Sequence, residues 1–174
     1  MPSDDEFNSA LKELEDSNDR AVGIVGATLI ELALQEAIER RLLPMSNNHR
    51  KALFGSDDGY TFSRKIELGF SLGLFGNQTK ADLSRIKSIR NEFAHNLDRK
   101  FGHKEIAKQC GHLTDYRKEE PLSEEVLSLA GERRDYLISR EWRWRFIFAI
   151  MHIHAGLMKE GFVVSQPPKA TFLA

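Results

Sequence analysis

Apolar residues recur at helical spacing along most of this chain, and no run of alternating β-branched residues bounded by turn dipeptides interrupts them. The pattern predicts an all-α fold, a single-domain helical bundle of about six to eight helices. A short first helix is expected after Ser3, with Phe7, Leu11 and Leu14 as its stripe, ending near Ser17-Asn18. From Asp19 to Leu43, Val22, Val25, Leu29, Leu32, Ala33 and Glu36 keep a helical period until Pro44 stops it. Asp19 at the start and Arg40 and Arg41 in the last turn complement the helix dipole.

A small helix around Asn48 to Phe54 should give way to an exposed turn, Gly55-Ser56-Asp57-Asp58-Gly59. Thr61 to Phe75 is apolar on more than one face, which predicts burial. The next helix runs from about Gln78 to His95 on the stripe Leu83, Ile86, Ile89 and Phe93, with Asn96 as a candidate left-handed residue after its end. Residues 97–121 are rich in charge, glycine and proline, and read as a loosely structured connection holding a short helix near Lys104 to Cys110. Helix resumes from Ser123 to Glu160, with Gly161 as cap. The domain is thus expected over residues 1–161, with 162–174, including Pro167-Pro168, as a tail.

An apolar content of 41% suits a core that needs neither disulfides nor metal. With 25 basic against 26 acidic residues, no overall field would hold the chain on a polyanion, so any such site must be local. The lone Cys110 cannot form an intrachain disulfide, and the acidic N-terminus lacks the order of a signal peptide. Phe146 to Met158, taken as the most apolar stretch, holds two histidines and falls short of a membrane span. These features predict a cytoplasmic protein with no membrane association.

His152 and His154 lie two residues apart in helix and point about 200° apart, and Cys110-Gly111-His112 has no second ligand pair at zinc spacing. Gly69, Gly73 and Gly76 lack the preceding strand of a phosphate loop. No metal and no cofactor are expected. Arg140, Trp142, Arg143, Trp144 and Arg145 interleave cations with aromatic rings, a composition that suits an interface or a nucleic-acid contact as well as inward-packing tryptophans with solvated or paired arginines. The two tryptophans cannot share one face, which would leave one for a partner.

The helix ending Arg90-Asn91-Glu92-Phe93-Ala94-His95 carries the best candidate chemistry. Asn91 and His95 stand four residues apart on one face, with Arg90 about 100° away. Arginine can grip a phosphate bidentately and histidine can move a ribose hydroxyl proton, so the trio suits metal-independent phosphodiester cleavage. The architectural reading is that His95 interacts with the helix dipole and Arg90 pairs with Glu31, a carboxylate beside the largely apolar face of the long helix.

Three segments in order resemble the mannitol operon repressor family of bacteria: Ser17-Asn18-Asp19-Arg20-Ala21 through Leu29-Ile30-Glu31-Leu32, then Thr61-Phe62-Ser63-Arg64-Lys65-Ile66-Glu67-Leu68, then Asp82-Leu83 through His95-Asn96. Arg90-Asn91-x-x-x-His95 at a helix end also resembles the HEPN superfamily, helical and often dimeric proteins that include metal-independent endoribonucleases, toxins and inactive binding members. The first resemblance implies a regulator of sugar-alcohol transport genes. The second implies that Arg90, Asn91 and His95 line a cleft across a two-fold axis. No helix reads as the basic recognition helix of a helix-turn-helix. The leading expectation is therefore a non-enzymatic transcriptional co-regulator, a homodimer acting through a protein or nucleic-acid partner. The alternative is an endoribonuclease using Arg90 and His95.

Overall fold

A computed structural model describes residues 17–42, 44–55, 59–114 and 134–159, with the backbone alone for 134–137. The expectations for a first helix before Ser17, for residues 115–133 and for the tail lie outside the described residues. Within them the chain is all-helical: α1 (Asp19–Glu39), α2 (Asn47–Phe54), α3 (Phe62–Ser71), α4 (Asn77–His95), α5 (Lys104–His112) and α6 (Arg134–Met158).

Local chemistry sets several of these boundaries. The side chains of Asn18, Ser46 and Thr61 accept hydrogen bonds from the backbone N–H groups of Ala21, His49 and Arg64, supplying partners to otherwise orphaned donors at the starts of α1, α2 and α3. After α3 the chain reverses through Gly73 at φ 69°, a left-handed conformation open to glycine at no steric cost.

Helix α1 packs against α3, α4 and α6, while α5 bridges α4 and α6. Its buried face is Val22, Ala27, Ile30, Ala33, Leu34, Ala37 and Ile38, with Gly23 and Gly26 allowing close approach. A β-carbon at Gly23 would lie 2.1 Å from the Phe93 ring, so α4 sits against bare backbone there. The centre of the core is aromatic: the Phe101 ring lies 5.0 Å from that of Phe93 and 5.3 Å from that of Phe146, joining the loop before α5 to α4 and α6.

Several expectations are corrected by this packing. Val25 and Leu32 are 43% and 51% exposed, because the inward arc of α1 is centred on its small residues and Ile30. The helix ends at Glu39, not Leu43, with Arg40 turning out of it. Asn96 is extended, at φ −130°. The described part of 97–121 is well packed, since Phe101, Ile106, Cys110 and Leu113 are all buried and anchor the segment despite its charge. Finally, among the described residues it is α1, and not the stretch after Phe146, that is long and apolar enough to cross a membrane, with mean hydropathy 1.6; half of that window of α1 is buried inside this fold.

Candidate functional site

The end of α4 brings the expected trio to one region of the surface. Leu83, Ile86, Ile89 and Phe93 lock one side of the helix into the core, which turns Asn91, Ala94 and His95 outward. Arg90 stands between these faces, half-exposed on the side of α1 and α3.

Glu31 of α1 does meet Arg90, but not as its principal partner. Lys65 of α3, only 6% exposed, donates from Nζ to Glu31 Oε1 at 3.0 Å, while Arg90 Nη1 lies 4.0 Å from Oε2. The tighter and more buried contact belongs to the lysine. A buried ammonium without a carboxylate would be costly, so Glu31 is committed first to Lys65. Arg90 keeps an exposed guanidinium face. Lys65 was missed from the sequence, although its place was readable: it falls in the buried series Phe62, Lys65, Ile66, Gly69, where a cation needs a partner.

The surrounding contacts stiffen this region. Arg20 Nε donates to the Phe93 carbonyl at 2.9 Å, fastening the start of α1 to the last turn of α4. The Asn96 side-chain amide donates to the Glu92 carbonyl at 3.1 Å. Lys87 Nζ donates to the Ser63 hydroxyl at 2.8 Å, joining α4 to α3.

The Arg140 to Arg145 segment is more internal than a free basic strip. Arg143 Nη1 binds Asp19 Oδ1 at 3.2 Å, and Arg145 Nη2 donates to the Leu113 carbonyl at 2.6 Å. Trp142 is half-buried beside Gly111, and Trp144 is half-buried with its ring 6.0 Å from Phe148. Arg140 alone of the five is exposed. His152 is exposed and His154 buried, and no cluster of three or more potential metal ligands occurs among the described residues.

A hollow of about 400 Å³ lies elsewhere, lined among the described residues by Asp98, Lys100, Gly102, His103, Ile138 and Ser139, without Arg90, Asn91 or His95. In its wall His103 stands between Arg99 and Glu105, its Nδ1 2.8 Å from Glu105 Oε2. The Glu105 carboxyl is held below its ordinary range by its own backbone N–H in the first turn of α5, and further by His103. Its lining carries both signs of charge.

No family model and no curated protein matches the chain. Among solved structures, a chain from the X-ray structure of the MtlR–HPr complex of Escherichia coli superposes with a TM-score of 0.61 at 17% identity, over 86% of this chain and 96% of that one. At that identity the likeness speaks for architecture, and it shows that this chain has the all-α fold of a chain from that complex.

Proposed function

We propose that this chain is a non-enzymatic regulatory protein of the mannitol operon repressor type that acts by binding another protein. One observation carries the reading: a chain of the same fold, matched over nearly its whole length, was solved in the MtlR–HPr complex. The ordered resemblance from Ser17 to Asn96 points the same way. No described helix combines an exposed polar face with the dense basic character of a DNA recognition helix, so a co-regulator fits better than a direct repressor. Calorimetric titration of the purified chain with HPr should give a saturable one-to-one isotherm. No heat and no shift of the melting temperature at 100 µM HPr, about the weak end of transient complexes, would remove HPr as the partner. A homodimer belongs to the same proposal; light scattering at tens of micromolar should return about twice the chain mass.

A second reading is favoured by the way Lys65 occupies Glu31, which leaves Arg90 half-exposed at the same helix end as exposed Asn91 and His95. As an endoribonuclease, His95 would take the proton of a ribose 2'-hydroxyl as its oxygen attacks phosphorus. Arg90 would hold the phosphate, Asn91 would steady either, and the bond from phosphorus to the 5'-oxygen would break as that oxygen takes a proton from water. Total RNA incubated with the chain in EDTA should then acquire 2',3'-cyclic phosphate ends, lost in Arg90→Ala and His95→Ala. RNA left intact would eliminate catalysis.

A further inference from the structure

Helices α1 and α6 lie side by side and run in the same direction. The Asp19 carboxylate holds Ser139 and Arg143 at one end, Gly26 seats against the Phe146 ring midway, and Arg40 Nη2 donates to the Leu157 carbonyl at 2.6 Å at the other. Both turn one arc into the same core, α1 with Ile30 and Leu34 and α6 with Phe146 and Ile153, so their uncovered arcs open on one side of the pair. On α1 that arc carries Val25, Leu29, Leu32 and Glu36. On α6 it carries Arg140, Trp144, Ile147 and Met151, at the same helical spacing.

This double stripe is short of charge in a chain whose residues are 29% charged. Between Arg20 and Glu36 the one charged residue of α1 is Glu31, which is turned to Lys65 on another side of the helix. Helix α6 has no Asp, Glu, Lys or Arg from Phe146 to Met158. Among the described residues, the exposed large apolar side chains are Val25, Leu32 and Met151, all on these stripes, and Leu97 elsewhere. Two stripes about 17 Å long and about 10 Å apart form an apolar patch broad enough to mark a contact.

The stripes carry opposite charges at opposite ends, which decides what fits. Glu36 stands towards the close of α1, with Arg40 at 3.4 Å, and exposed Arg140 towards the start of α6. A lipid surface would ask for a rim of cations. A second copy of the chain, related by a two-fold axis across the middle of the stripes, is turned end for end. Each Arg140 then arrives at the end where the other copy's Glu36 stands, while the apolar stretches cover each other. We infer that the α1–α6 face is the interface between two copies of this chain, with Val25, Leu32 and Met151 near its centre and Glu36 meeting Arg140 at its edges. This rests on the homodimer proposed above and adds where its two-fold axis passes. Arg90, Asn91 and His95 lie beyond Glu31 on another side of α1, so each copy keeps its α4 end open to a different partner.

Sedimentation equilibrium of the full-length chain at tens of micromolar should return about twice the chain mass. Leu32→Glu and Met151→Glu set a carboxylate in the interface and should each weaken the dimer roughly a hundredfold. Both sites are exposed in the single chain, so the circular dichroism of the parent should be kept. Leu97→Glu should dimerise as the parent does. Arg140→Glu and Glu36→Arg should each weaken the dimer roughly tenfold, and the two exchanges together should restore it. A dimer that survives Leu32→Glu and Met151→Glu, or is lost in Leu97→Glu instead, would overturn this interface and leave the homodimer standing on another face. A double exchange no tighter than the single ones would overturn it too. A monomeric parent would remove the homodimer and this face together. Flotation of that monomer with phosphatidylglycerol vesicles would then give the face to lipid, and dimerisation of Leu11→Glu would give it to the chain's own residues before Ser17. The HPr titration is independent of all these outcomes and decides the protein-binding reading by itself.

Discussion

Gly23 and Glu31 show how much a single position on α1 can control. A methyl group at Gly23 meets the Phe93 ring, which is itself fixed between Phe101 and the backbone of α1. Gly23→Ala should therefore destabilise the fold by about 1–3 kcal/mol in urea melts, against the usual gain from replacing a helical glycine. Glu31→Gln strands the buried Lys65 ammonium and should cost about 3 kcal/mol, whereas Glu31→Gln with Lys65→Met should recover much of that loss. A double mutant no more stable than Glu31→Gln would show that Lys65 is not held by this carboxylate. Burial raises the Cys110 thiol far above its ordinary range. The unfolded chain releases that proton above about pH 8.5 while the folded chain keeps it, so folding stability should decline with pH there. The difference from Cys110→Ala should grow by about 2 kcal/mol between pH 8 and pH 10, measured by denaturation across that range.

At the scale of elements, periodicity located the helices well and misjudged which arc of α1 faces inward. Val25 and Leu32 satisfy an apolar stripe on paper, yet the true contact arc combines Val22, Ile30, Leu34 and Ile38 with Gly23, Gly26, Ala27 and Ala33, small residues whose value is close approach and not hydrophobicity. Hydrophobic pattern weighs large residues and passes over small ones. The same bias hid Lys65, a cation in an apolar register, while Arg90, Asn91 and His95 were legible because helix geometry alone separates their faces. The segment after His95 looked loose from its charge, but Phe101, Ile106 and Cys110 seat it, and Asp82 fastens its end by accepting from the Thr114 backbone N–H at 3.2 Å and its hydroxyl at 2.7 Å. Asp82→Ala should release α5 selectively: hydrogen exchange over Lys104 to Thr114 should quicken well before that of α1 and α4. Uniform quickening across all three helices would mean that α5 is not a separable unit.

On the scale of the whole molecule, contacts of very different sequence separation hold the bundle together. The α3–α4 hairpin and its seat on α1 join residues close in the chain, whereas Asp19 reaches across most of it. Its Oδ2 accepts from the Phe101 backbone N–H at 3.0 Å and the Ser139 hydroxyl at 3.1 Å, and its Oδ1 from Arg143. Closing a loop of that length costs conformational entropy before any contact returns it. The Asp19 junction consequently ought to form after the folding barrier has been crossed. Asp19→Ala should leave the refolding rate nearly unchanged and speed unfolding, seen in stopped-flow experiments as a shift of the unfolding limb alone. A protein built this way would owe its lifetime in the folded state to one carboxylate at the beginning of its first core helix, acting as a latch that closes last and opens first.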